Sequence, residues 1–216
     1  MATVAATDET KKARAPVMLC LHGYGQDAKH FNDRLDTFRA KIKKKARFLI
    51  PYAPHRAPPG TDETSRCWYA YPERFQWKNG HINNPKLIEE LDTLSADSDF
   101  HGLEQSIKEI RQILANNPDI RYVMGFSQGA SLLAMMVQRG YIDKDKKLIF
   151  IGASAIKMSD DVKFPHRSVH YVGEEDKVVG TWLGVRLAAH FENPTIITHA
   201  GGHVCPRMTA TVFDAL

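Results

Sequence analysis

Cysteine is scarce in this chain: Cys20, Cys67 and Cys205 are three in 216 residues, an odd number with no paired spacing. That argues against a disulfide framework and a cysteine-rich zinc site. A reducing compartment fits best, so a cytoplasmic protein is expected. Long apolar runs are missing too. No stretch approaches the length of a membrane span, and the first fifteen residues lack the apolar block of a secretory signal. Charge of one sign is nearly balanced at net +4, with much of the excess in Lys11-Lys12-Ala13-Arg14 and in Lys41 to Arg47. Neither cluster is interleaved with aromatics or carries a nucleic-acid motif. Each reads as a solvated tail or helix end, and no nucleic-acid partner is expected. Repeats and linker-like boundaries are also lacking, which leaves a single domain.

What is present is an alternation of apolar runs and amphipathic stretches. Val17-Met18-Leu19-Cys20-Leu21 is continuously apolar, as a strand buried on both faces requires. Phe31, Leu35, Phe38 and Ile42 then recur at helical spacing, with Lys43-Lys44-Lys45 in the expected last turn. Further strands are expected at Phe48 to Ala53, Arg121 to Met124, Leu148 to Gly152, Ser168 to Gly173 and Thr195 to His199. Helices fall between them, and a last one runs from about Pro206 to Leu216. The economical answer is one α/β domain over residues 16–216, with residues 1–15 as a loose lead-in. Its core would be a doubly wound, mostly parallel sheet of about six strands flanked by helices.

Residues 56–100 break this rhythm. The segment is too long for an ordinary connection and holds Trp68, Tyr69, Tyr71, Phe75 and Trp77. It is expected to form an ordered cap or pocket wall, with Trp68 and Tyr69 as candidate substrate contacts.

The chemistry centres on Gly125-Phe126-Ser127-Gln128-Gly129, which fits G-x-S-x-G between an apolar strand-like run and a small-residue helical pattern. A serine there makes a strand-to-helix turn too tight for bulky neighbours, which lifts its hydroxyl above the sheet end. A serine hydroxyl is a weak nucleophile at neutral pH and needs an imidazole base, itself oriented by a carboxylate. Ligands of open parallel sheets bind beyond the carboxyl ends of the strands, so the partners should come after later strands. Asp176 comes three residues past Gly173, with Glu175, Asp160 and Asp161 as competitors. His203 follows two glycines, and His199, at a strand end, is its rival. His22 is better placed to brace the Gly23–Gly25 turn, and His170 lies mid-strand. The developing oxyanion needs donors, expected from the backbone N–H groups of Gln128 and Tyr24.

Taken together, His22-Gly23-Tyr24-Gly25-Gln26, Ala53-Pro54-His55, Trp68-Tyr69, Gly125 to Ala130, Gly173-x-x-Asp176 and Gly201-Gly202-His203-x-x-Pro206 resemble the FSH family of serine hydrolases. The resemblance runs from Val17 over nearly the whole chain. It implies the α/β-hydrolase fold and hydrolysis of small carboxylic esters without metal or cofactor, with the triad on Ser127, Asp176 and His203. Thioester hydrolysis by the same triad and a non-catalytic binding fold are the alternatives. Family members often carry Val-Pro after the triad acid, where this chain has Val178-Val179.

Overall fold

The computed structural model describes residues 15–57, 62–73, 85–95, 98–154, 158 and 161–216, with residues 85–88 described by their backbone only. The expected lead-in therefore lies outside the described residues apart from Ala15, as do Phe75, Trp77 and Asp160.

The elements run β1 (Val17–Leu21), α1 (Ala28–Arg39), β2 (Arg47–Leu49), β3 (His55–Arg56), β4 (Arg66–Cys67), α2 (Pro85–Thr93) and α3 (Leu103–Asn116). They continue with β5 (Ile120–Phe126), α4 (Gln128–Gln138), β6 (Lys147–Ile151), β7 (Ser168–Gly173), α5 (Thr181–Ala188), β8 (Pro194–His199) and α6 (Ala210–Ala215). Six strands form one sheet in the order β2-β1-β5-β6-β7-β8. Every neighbouring pair in it is parallel. The two remaining strands, β3 and β4, make a short antiparallel ribbon. This is the expected doubly wound sheet, with differences at its margins. β2 is shorter than expected and stops at Leu49, before Pro51, which has no N–H to give a ladder. α1 ends at Arg39, so Lys43-Lys44-Lys45 fall in turns beyond it.

The side-chain period of two divides the core between the faces. Leu19, Leu21, Val123, Leu148 and Phe150 point to one side, where α3, α4 and α5 pack. Met18, Cys20, Met124, Ile149, Ile151 and Tyr171 point to the other, against Phe31, Leu35 and Phe38 of α1 and Phe213 of α6. Each such side chain contributes about 1.5–3 kcal/mol on burial. α4 is buried on all sides from Gln128 to Val137, which explains its apolar, small-residue sequence. Among the described residues no helix is long and apolar enough to cross a membrane.

Candidate active site

At the carboxyl end of β5 the chain turns into α4 through Ser127, whose φ of 53° and ψ of −121° are not helical. It is the one non-glycine residue with positive φ among the described residues. Such a conformation costs about 1–3 kcal/mol and persists only where the surroundings enforce it. Two contacts do so here. Ser127 N–H donates to Ile151 O at 2.9 Å, tying the turn to the end of β6. Behind it, Gly129 presses on β1: a Cβ there would lie 2.3 Å from Leu21 O and 2.6 Å from His22 O. No side chain fits, so α4 starts close against the first strand with Ser127 held above.

Asp176 lies in the turn after β7 and is 5% exposed. Its Oδ1 accepts from Val178 N–H and Val179 N–H, both at 2.8 Å. Its Oδ2 lies 2.7 Å from His203 Nδ1. Burial alone pushes its pKa up. The bond and charge of His203 and the two backbone donors outweigh burial and hold it below the ordinary carboxylate value. Val178 and Val179 thus act through their backbone, and a proline at Val179 would remove a donor to the acid.

With Nδ1 turned to Asp176, the other ring nitrogen of His203 is left for the cleft, which His203 and Ser127 both line. Phe126 lies under the imidazole with ring centroids 4.8 Å apart. Gly152, with φ +53°, passes beside the ring. A Cβ there would come within 2.9 Å of His203 Cε1 and 3.4 Å of Asp176 Oδ2. Among the described residues no hydrogen bond joins Ser127 to His203, a contact that often closes only once substrate is bound.

The Gly23–Gln26 turn faces the elbow. Gly23 N–H is taken by Gln26 Oε1 at 2.8 Å and Gly25 N–H by Arg66 O at 2.9 Å. Among the described residues Tyr24 N–H and Gln128 N–H have no acceptor, and both residues line the cleft beside Ser127. His22 braces this turn. Ala53 N–H donates to its Nε2 at 3.1 Å, so Nδ1 carries the proton and donates to Gly23 O at 2.8 Å. Burial lowers its pKa, in keeping with a neutral ring.

The other sequence candidates lie elsewhere. His199 takes Gly201 N–H on Nδ1 at 3.2 Å and does not line the cleft. Glu175 is exposed beside the neighbouring hollow, and Asp161 is exposed. His170 is buried in β7, stacked on Phe150 at 4.8 Å.

Trp68 and Tyr69 differ from expectation. Both are fully buried and neither lines the cleft of about 1120 Å³. Trp68 N–H donates to Gln128 Oε1 at 2.9 Å, Gln128 Nε2 donates to Tyr69 O at 2.8 Å, and Trp68 Nε1 donates to His22 O at 2.8 Å. Ser106 Oγ also donates to Trp68 O. The pair therefore braces the site from behind. From this segment the cleft is lined by Ala70, Tyr71 and Pro72, and Val178 and Val179 line it too. Ser131 and Ser154, which also line the cleft, were not anticipated. Ser131 had a signal: it stands one helical turn after Ser127. Among the described residues no three His, Cys, Asp or Glu side chains converge to hold a metal ion.

Solved proteins share this architecture, and the chain has the α/β-hydrolase fold. SOBER1 from Arabidopsis thaliana superposes with a TM-score of 0.61 over 93% of this chain and 95% of its own, at 16% identity. A carboxylesterase of Bacillus cereus does so with a TM-score of 0.57 over 93% and 85%, at 15% identity. Such identities speak for the fold alone. Sequence goes further: the family model for the FSH1 serine hydrolases matches residues 12–214, and the chain belongs to that family of serine hydrolases. Among its relatives, Esterase OVCA2 of Xenopus tropicalis is 29% identical over 227 aligned positions, covering 94% of this chain and 92% of that one. Esterase OVCA2 of Homo sapiens is 26% identical over 207, covering 88% of each.

Proposed function

We propose that the protein hydrolyses small carboxylic esters through an acyl-enzyme on Ser127. The observation that carries this reading is the 2.7 Å pairing of His203 Nδ1 with Asp176, which leaves Nε2 for the cleft that also holds the strained serine. Asp176 fixes the tautomer and stabilises the imidazolium as it forms. His203 takes the Ser127 proton during attack on the ester carbonyl, passes it to the leaving alcohol, and then activates water to release the acid. Negative charge developing on the carbonyl oxygen is met by Tyr24 N–H and Gln128 N–H, held ready by the braced turn and the helix start. The relatives named as esterases favour an ester over a thioester.

A fluorophosphonate probe tests the assignment. Labelling should be stoichiometric in the wild type and abolished in Ser127→Ala, with p-nitrophenyl acetate hydrolysis falling at least about 10⁴-fold. Labelling that survives the substitution would move the nucleophile elsewhere.

A further inference from the structure

Behind the serine the cleft ends in hydroxyl groups. Ser131 and Ser154 are 2% and 4% exposed, yet both line the cleft that holds Ser127 and His203. Ser131 Oγ donates to Ser127 O at 3.4 Å and lies 2.9 Å from Ser154 Oγ. Either hydroxyl can supply the proton between the two, and among the described residues Ser154 makes no other side-chain hydrogen bond. Beside them is the phenol of Tyr69. It is fully buried, and among the described residues it has no acceptor or donor at good hydrogen-bond geometry, with Tyr71 and Ser131 as the polar neighbours within its reach. A buried O–H donor without an acceptor is costly, and buried polar groups are normally satisfied.

The recess thus offers acceptor lone pairs at Ser131 and Ser154, and an unused donor, the Tyr69 phenol, lies beside Ser131 behind its lining, close to where acyl transfer takes place. An alkyl chain laid into it would satisfy neither and would strip both of any water. Two exposures this small admit a slim chain, not a bulky group. Ser131 stands about one helical turn beyond the nucleophile, a rise of about 5 Å, comparable to four bonds of an extended substrate. Building on the esterase reading, we propose that this recess binds an oxygen of the substrate, a hydroxyl, ether or carbonyl, three to four bonds from the scissile carbon. The preferred esters are then oxygenated ones rather than simple alkyl esters. A site that hydrogen-bonds a substrate oxygen discriminates against an analogue lacking it more sharply than an apolar pocket discriminates between chain lengths.

The test uses isosteric pairs and the full-length protein. p-Nitrophenyl 3-methoxypropanoate is compared with p-nitrophenyl pentanoate for the acyl side, and 2-methoxyethyl acetate with butyl acetate for the alcohol side. Each kcat/KM is divided by the hydroxide rate of that ester to remove intrinsic reactivity. The wild type should favour the ether about tenfold or more in one pair. Tyr69→Phe and Ser154→Ala should each bring that ratio towards one, and either variant suffices if the other folds poorly. Equal normalised rates in both pairs, or a preference untouched by both substitutions, would overturn the recess while leaving the esterase reading intact. Failure to hydrolyse any of the four esters would overturn that reading, and the recess with it.

Discussion

The elbow and the 66–73 wall lie against each other, yet they are held in different ways. At the elbow the key constraint is steric and close in space: the backbone passes so near its neighbours that Gly129 has no room for a Cβ, and Ser127 is left with one strained conformation. The wall is held by hydrogen bonds from afar. Gln128 clamps Trp68 and Tyr69, sixty and fifty-nine residues earlier, and His22 takes the Trp68 indole from forty-six residues away. Steric constraint leaves its mark in sequence as glycine. A clamp of this second kind leaves only an amide and two aromatics, which could equally have lined a pocket.

The largest test of this contrast is Asp176→Asn. It should lower kcat by about 10³–10⁴-fold with p-nitrophenyl acetate, because an amide no longer dictates the imidazole tautomer. Wall residues should keep their amide protection, since none bonds to Asp176. Next comes Gln128→Ala. It keeps the backbone N–H proposed for the oxyanion but leaves Trp68 N–H and Tyr69 O without partners. Two orphaned buried groups together cost about 2–6 kcal/mol, read as a lower urea midpoint. Fluorophosphonate labelling of Ser127 should survive. If labelling were lost and stability kept, the wall would not be the passive brace described above.

The smallest effect is the acid response. Asp176 has a folded pKa below its unfolded value, so the unfolded chain binds the proton first. The stabilisation is complete above the unfolded value, near 4, and is lost as pH falls through the folded one. Hydrogen exchange corrected for intrinsic rates should therefore show protection at Val178 and Val179 falling below pH 4, while protection at Trp68, bonded to neutral groups, holds. Equal loss at both places would erase the distinction.

The same contrast explains how much could be read from the chain alone. The inner strands announced themselves because strands covered on both faces are apolar along most of their length, as β1 and, after Lys147, β6 are. Gly125 and Gly129 marked the elbow. The two loops carrying Asp176 and His203 were legible because each comes directly after a later strand, at the sheet end where ligands bind. α2 was overlooked although Pro85 opens it and Leu87, Ile88 and Leu91 stand at helical spacing behind it. The direction in which Trp68 and Tyr69 point was not legible, because it depends on partners distant in the chain. The Ser131–Ser154 pair was equally hidden, since its members come from a helix and a strand end that meet only in the fold.

One contact at the end of β6 carries a mechanical consequence. Ile151 O holds the Ser127 amide, and the very next residue, Gly152, lies beside the His203 ring. The proposed nucleophile and base, which arrive on widely separated stretches of chain, are thus referenced to a single datum, as two machined parts are located from one edge. Both are therefore positioned by consecutive residues of one inner strand end, not by the outer strands or the wall.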